Sequence, residues 1–398
     1  MDEMKAIAEM LNEPPTQQAA DEGRRRLRRE IANPGRAGGR AKARFGWPLK
    51  AGLGLVAAGA AAAVAISAIG SGDPSPAEGT QAGGPQGQID LGRQAVLVAA
   101  ENAAKQETGK YFFTEHVSGQ SYVVPAETGA YAIAGARSAT FVSAGLEPGA
   151  DVTFHESFPG PKLWTPADEA AWTKAGSPSQ VKVWSSDKWL TFNMADKGPW
   201  KLDGTNTQQE WLGQYTLEEL QNLPTDPKKL AEEAFDPEQT EAGLLEARGQ
   251  KVPENLQTEE FVAASKIRTV GWRLSDLPVP PKVRAALMKA LMAEPGVKAV
   301  GETTDPLGRK GVALTSGSRS YEVTGEFGTP PENQGTYESR QEIVFDKATG
   351  NALAMQNVLT KPGGPYKDRE PGFIIDYTAI RDMGWSDTKP APPKNYES

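Results

Sequence analysis

The chain contains no cysteine and only two histidines among its 398 residues. Without thiols it forms no disulfide, and thiol catalysis, iron–sulfur clusters and cysteine-type zinc sites are excluded. His116 and His155 are far apart in the sequence and lack the spacing that brings two ligands to one helix face. The sequence therefore predicts no metal ion or other cofactor, and a folded body that its core alone must stabilise.

Sequence motifs of common enzymes are also missing. The chain has no GxSxG nucleophile elbow, no HExxH zinc motif, no Walker loop and no GxGxxG dinucleotide motif. Both histidines fall in expected strands, where surface or packing roles account for them. We therefore expect a protein that is not an enzyme.

Three aspartates could form a cation site or a catalytic carboxylate pair, but each has a structural explanation. Asp305 precedes a proline in a turn, and Asp346 opens the DKATGN turn between two β-forming runs. Asp376 is expected on the solvent face of a strand. All three are accordingly interpreted as structural residues.

Residues 51–72 contain no charged residue. As a helix this run would extend about 33 Å, which matches the roughly 30 Å of a bilayer core. Its richness in alanine and glycine leaves two alternatives, a buried helix of a soluble domain and a cleaved signal peptide. A buried helix would normally carry a polar face, and a signal peptide does not follow so long a charged segment. A single transmembrane helix is the prediction.

Basic residues are concentrated before this span. Residues 1–50 hold eleven lysines and arginines against seven acidic residues, whereas the whole chain has a net charge of −8. Arg44, Trp47 and Lys50 flank the apolar run, as basic and aromatic residues do at a membrane interface. We expect the N-terminus in the cytoplasm and the larger part outside the cell membrane. Lipid headgroups, rather than nucleic acid, are the expected partner of the basic cluster.

Composition divides the chain into five segments. Residues 1–50 form a basic cytoplasmic segment with short helices, and residues 51–72 form the transmembrane helix. Residues 73–88 are a Gly/Pro/Ser-rich spacer, residues 89–386 an extracytoplasmic body, and residues 387–398 a disordered tail. The body could be one domain or two lobes that meet near Leu217.

The body mixes β-type alternation with helical periodicity. Its fold class is predicted to be α+β, with an antiparallel, half-barrel-like sheet and helices packed on it. The expected elements are a helix over 89–108, a hairpin of 111–117 and 121–124 around Gly119, a strand over 151–158, a helix over 165–174, a hairpin of 181–184 and 189–194, helices between 216 and 294, and further strands beyond Pro295.

Six tryptophans are crowded into one third of the body. They could line a cavity for an apolar ligand, although core packing is the more common reason for such a cluster. The candidates are Trp164, Trp172, Trp184, Trp189, Trp200 and Trp211.

Four segments of the body carry a family resemblance: LPTDPKKL from Leu223, PVPPKVRAALMKALMAEPGVKAVGETTDPLGRKGVAL from Pro278, EIVFDKATGNALA from Glu342 and YTAIRDMGW from Tyr377. With these segments the chain resembles an uncharacterised family of actinobacterial single-pass membrane proteins, whose genes often accompany sigma factors of the extracytoplasmic type. More loosely, the body is similar to the half-barrels of periplasmic lipoprotein carriers and anti-sigma regulators. That similarity concerns the fold and does not transfer function.

Two functions follow as expectations. The first is a non-catalytic sensor or regulatory protein, in which the outer body binds an envelope ligand and residues 1–44 contact a cytoplasmic partner such as a sigma factor. The alternative is a membrane-anchored carrier or binding module for a lipid-like ligand.

Overall fold

The computed structural model describes residues 90–213, 215–235, 241–247 and 249–393. The expected cytoplasmic segment, transmembrane helix and spacer all lie outside these residues, as does the end of the expected tail. In the part of the chain that is described, no helix is both long and apolar enough to cross a bilayer.

The fold is α+β, as predicted, and is dominated by an antiparallel sheet of eleven strands. The path of hydrogen-bonded neighbours is β7-β3-β2-β1-β13-β12-β11-β9-β8; β4 pairs with β2, β10 pairs with β11, and β5 and β6 form a separate hairpin. The sheet is open, because β7 and β8 end this path without pairing with each other. The strands are β1 (Tyr111–Val124), β2 (Tyr131–Gly145), β3 (Asp151–Ser157), β4 (Lys162–Leu163), β5 (Gln180–Ser185), β6 (Lys188–Asn193), β7 (Lys201–Thr207), β8 (Lys298–Thr304), β9 (Lys310–Thr315), β10 (Arg319–Val323), β11 (Gly335–Phe345), β12 (Ala352–Lys361) and β13 (Ile374–Ser386).

The helices begin where the capping residues predict. The Thr165 side chain accepts a hydrogen bond from the Asp168 amide. In the same way, Asp226 accepts from the Lys229 amide and Thr258 from the Phe261 amide. The helices are α1 (Leu91–Ala103), α2 (Pro166–Lys174), α3 (Gln208–Leu212), α4 (Leu217–Gln221), α5 (Pro227–Ala234), α6 (Glu241–Ala247), α7 (Glu259–Asp276) and α8 (Pro281–Ala293).

The predicted hairpin around Gly119 is wrong, because β1 is one strand of 14 residues. Gly119 lies within the strand, where a Cβ would be only 2.7 Å from the Tyr377 hydroxyl oxygen. The glycine therefore permits a close cross-strand approach and does not form a turn.

Strand β2 was not predicted. Its sequence is rich in alanine, serine and glycine, which have little β propensity. Small residues are accommodated here because the strand is central; Ala134 and Ala139 are both buried against neighbouring strands. Packing in the sheet thus overrides the local preference.

The β5–β6 hairpin and the strands after Pro295 are confirmed, with longer strands than expected at β11, β12 and β13. The strands β1 and β13, the first and last strands along the chain, pair with each other. Their pairing extends from Tyr111 opposite Ser386 to Gln120 opposite Asp376. This pairing places residues from both ends of the body side by side at the centre of the sheet.

The main core takes residues from both sides of Leu217. Phe112 and Val152 share one cluster with Leu287 on α8 and with Phe345 on β11. Helix α7 packs on β9, β11 and β12, and α8 packs on α1, α5 and α7. The helical segment therefore packs on the strands β9, β11 and β12 and, through the main core, also meets Phe112 on β1 and Met383 on β13.

Candidate functional site

The six tryptophans are divided among several packing clusters. Trp164 and Trp200 pack in one cluster, Trp172 in a second and Trp211 in the main core. Trp184 and Trp189 face each other across the β5–β6 hairpin with ring centroids 5.5 Å apart. These are packing contacts, and a ligand role for the tryptophans stays a prediction. The membrane-flanking residues Arg44, Trp47 and Lys50 lie outside the described residues.

Asp376 is not on an open solvent face, contrary to expectation. It lies on β13, where Ile375, Tyr377 and Ala379 are buried while Asp376 and Thr378 are partly buried. Protein atoms surround the carboxylate on most sides, yet part of the residue still reaches solvent. The carboxylate is therefore recessed in this face of the sheet, and we interpret the face as the floor of a groove.

The neighbouring strands contribute polar side chains to the same floor. Asp376 is directly opposite Gln120 on β1 and Asn357 on β12, and Asn357 Nδ2 donates to Asp376 Oδ2 at 3.2 Å. One step along the strands, the hydroxyls of Ser118 and Thr378 are 2.8 Å apart. We call these five residues the polar groove.

Helix α7 borders the polar groove on one side. A side chain at Gly271 would collide with Met355 Sδ, so the helix lies close against β12. At its end Asp276 Oδ1 is 3.9 Å from His116 Nδ1 on β1. Arg268, which is exposed, influences the Asp376 carboxylate electrostatically. The spacing of four residues puts Arg268, Trp272 and Asp276 on one side of the helix.

Tyrosines form the opposite border. Tyr122 donates its hydroxyl to Gln120 Oε1 at 3.1 Å, and this hydroxyl is also 3.0 Å from Ser185 Oγ. The buried Tyr366 also hydrogen-bonds Gln120, and its ring meets Tyr337 edge-on at 5.0 Å. Burial raises the pKa of both Tyr337 and Tyr366 above the usual tyrosine range. The rings therefore remain neutral around neutral pH.

Burial also raises the pKa of Asp376 above its ordinary value. The hydrogen bond from Asn357 and the charges of Arg268 and Arg319 act in the opposite direction. Because desolvation is the largest of these effects, the folded protein bears a cost for holding this carboxylate ionised.

Three buried polar atoms without partners lie on β12, β11 and β10, the strands that follow β13 in the sheet. Among the described residues, Asn357 Oδ1, Ser339 Oγ and Arg319 Nε have no hydrogen-bond partner, and Ser339 lies opposite Arg319 across β10 and β11. The three residues are 8%, 0% and 9% exposed, respectively. An unsatisfied buried polar group costs about 1–3 kcal/mol, so this side of the groove retains unused hydrogen-bonding capacity.

The other predicted polar residues have the structural roles that were expected. Asp305 Oδ1 accepts from the amides of Leu307 and Arg309 at 2.9 and 2.8 Å. Asp346 Oδ1 accepts from the amides of Ala348 and Thr349 at 2.6 and 3.0 Å. Both aspartates therefore organise turns, as their sequence context predicts.

The two histidines are placed differently. His155 packs edge-on against Phe141 on β2, and burial lowers its pKa. His116 lies at the groove end beside Asp276. Within the described ranges, no three histidine or carboxylate side chains are grouped as a metal site would require.

Sequence reasoning missed the polar groove because alternation of polar and apolar residues looks the same on a solvent-exposed strand and on a groove floor. One signal was present: polar residues in the first and last strands could have suggested a shared site if their pairing had been known. No protein-family model matches the chain, and the curated proteins include no match to it.

Proposed function

We propose that the chain is a membrane-anchored sensor or regulatory protein whose outer body, residues 89–386, binds a small envelope ligand in the polar groove. Residues 51–72 anchor it, and residues 1–44 contact a cytoplasmic partner such as a sigma factor. A half-barrel curvature of the sheet, with helices on its inner side, would enclose the groove. The observation that carries the proposal is the partly buried Asp376 with its flanking polar groups.

The energetic cost of the groove supports a functional role. The reverse face of β1 and β13 is closed by the small cluster of Val117, Ala354, Tyr377 and Ala379. The groove face instead holds a carboxylate, an amide pair and two hydroxyls in the centre of the sheet. Stability alone does not explain such a choice, and local costs of this type concentrate at functional sites.

The geometry supports binding over catalysis. Ser118 and His116 lie two positions apart on β1, a separation of about 6.6 Å along a strand. A serine nucleophile needs its base within hydrogen-bond reach, but Ser118 is hydrogen-bonded to Thr378 instead. Asp376 likewise has an amide partner in Asn357.

The alternative proposal is a lipid-like ligand. Met355, Tyr366 and Trp272 would contribute apolar surface near the groove. The floor nevertheless consists of polar side chains that an acyl chain would leave without hydrogen bonds. A polar ligand therefore accounts for more of the site.

Complementation in a strain that lacks the gene tests the proposal. The full chain and its Asp376→Asn variant would be expressed, with Asp203→Asn as the matched control because Asp203 lies on the exposed edge strand β7. We expect the Asp376 variant to change the transcripts that deletion changes, and the control to restore them. Full restoration by Asp376→Asn would reject the groove as the sensing site.

The proposed contact of residues 1–44 with a sigma factor is tested separately. The detergent-solubilised full chain should co-purify a sigma factor, and the chain lacking residues 1–44 should not. Equal recovery with and without this segment, or no sigma factor from the full chain, would contradict the signalling link.

A further inference from the structure

We propose that the polar groove binds a neutral, polyhydroxylated ligand, that is, a sugar or part of a sugar chain. The inference rests on the proposed function, because it assumes that the groove is a ligand site and names the chemistry of the ligand.

The groove floor offers an unusual set of hydrogen-bonding groups. Gln120, Asp376 and Asn357 stand abreast on three adjacent strands, whose axes are about 4.8 Å apart. Two of these side chains are amides, which both donate and accept, and the third is a carboxylate, which accepts in several directions. Ser118 and Thr378 add two hydroxyls on the next row. A ligand with several adjacent hydroxyl groups can both donate to and accept from such an array.

Charge disfavours an ionic ligand. A cation drawn to Asp376 would also meet the fields of Arg268 and Arg319, both of which act on that carboxylate. An anion drawn to the arginines would meet Asp376 and, at the groove end, Asp276. Each charged ligand therefore meets repulsion together with attraction, whereas a neutral ligand meets neither.

The borders of the groove suit the apolar side of a sugar ring. Trp272 lies on the same side of α7 as Arg268 and Asp276; part of it packs against the main core, and the rest is accessible to solvent. Tyr366 and Tyr337 lie on the opposite side and are each 6% exposed, so a ligand would reach only a small part of either ring. Ligand sites commonly combine aromatic walls with a few placed polar groups, and the C–H face of a sugar ring is the surface that such walls contact.

Unused hydrogen-bonding capacity lies opposite Asp376 at Asn357 and one strand further on, at Ser339 of β11. Ser339 Oγ and Asn357 Oδ1 have no partner among the described residues, and both residues are more than nine-tenths buried. A ligand hydroxyl, or a water that it orders, would satisfy them.

Saturation-transfer NMR on the detergent-solubilised full chain tests the ligand class. The probes are glucose, N-acetylglucosamine, arabinose and trehalose, together with two charged relatives of glucose, glucosamine and glucuronate. We expect at least one neutral saccharide to bind, with weaker binding of the charged relatives. Affinity should fall about tenfold or more in Asp376→Asn, since a hydrogen bond to a charged acceptor is lost.

Two further measurements make the result decisive. A thermal melt verifies that Asp376→Asn is folded, and Asp203→Asn on β7 should bind like the unaltered chain. Tighter binding of glucosamine or glucuronate than of glucose, or no saccharide whose binding depends on Asp376, would overturn the proposal. If that happens while Asp376→Asn still alters transcription, only the ligand class is wrong; if both effects are absent, the proposed function is also wrong.

Discussion

Asn357 Nδ2 donates a hydrogen bond of 3.2 Å to Asp376 Oδ2, across the last regular pair of β12 and β13 before their register shifts. This bond joins a neutral amide to a carboxylate whose pKa is raised by burial. The groove therefore combines hydrogen-bonding groups with a local cost in stability.

The first prediction concerns the stability cost of Asp376. A carboxyl group whose pKa is raised on folding costs nothing when both states are protonated, and its cost appears as pH rises above the unfolded value of about 3.9. Asp376→Asn should therefore unfold at a higher temperature at pH 7, with a gain of about 0.5–2 kcal/mol.

The gain should shrink as the pH falls toward 4, which thermal melts at several pH values would reveal. An Asp376→Asn variant that is less stable than the original protein at neutral pH would contradict the prediction. Such a result would mean that the ionised carboxylate stabilises the fold.

The second prediction concerns alkaline unfolding. Burial raises the pKa of Tyr337 and Tyr366, so the folded protein keeps protons that the unfolded chain loses near pH 10. The contribution of these two tyrosines to the free energy of unfolding should be fully present below this pH and should decrease above it. Absorbance of tyrosinate should then rise together with the loss of near-ultraviolet circular dichroism, and Tyr366→Phe should weaken the pH dependence. Ionisation of all tyrosines before unfolding would disprove this interpretation.

A third prediction concerns the packing of α7 against the sheet. A Cβ at Gly271 would collide with the Met355 side chain, whose sulfur is its nearest neighbour. Gly271→Ala should destabilise the protein by about 1–3 kcal/mol through overpacking. Because Met355 is flexible and is the source of the conflict, Met355→Val should recover part of the loss in the double variant. Strict additivity of the two changes in denaturant unfolding would argue against direct contact.

Arg284 gives the fourth prediction. Its guanidinium is 2% exposed and donates to the carbonyl oxygens of Leu274 and Val279 at 2.8 and 3.1 Å. Desolvation lowers its pKa to about 10. Arg284→Ala should cost about 3–5 kcal/mol, because it leaves a cavity and unpaired carbonyls at the end of α7.

Arg284→Met fills the same space without a buried charge. It should therefore cost clearly less than Arg284→Ala when both variants are compared by urea unfolding. Equal losses would show that the guanidinium hydrogen bonds, not the packing, dominate at this site.

The fifth prediction uses the absence of native cysteine. Single cysteines introduced as Asn12→Cys and Gln86→Cys lie on either side of residues 51–72. In intact cells a membrane-impermeant maleimide should label Gln86→Cys and should label Asn12→Cys only after lysis. Labelling of both positions in intact cells, or of neither, would reject the proposed orientation.

Local signals in the sequence determined much of the secondary structure. Thr165 with Pro166 and Asp226 with Pro227 define helix starts through bonds that span three residues, so no tertiary context is needed. The Asp346 turn depends on equally local amide contacts. Gly119 was misjudged because a turn glycine and a close-packing glycine are identical in sequence. Only its contact with Tyr377, 258 positions later, distinguishes them.

The sequence by itself determined the division of the chain by charge and hydropathy, the exclusion of thiol chemistry and the α+β class. Each depends on composition or on short-range periodicity, which folding does not change. The tertiary structure alone decided that Asp376, Gln120 and Asn357 form one row and that α7 and the tyrosines border it. The physical reason is that strand alternation fixes which residues share a face, whereas the pairing of β1 with β13 and the packing of α7 decide whether that face meets solvent, core or a groove.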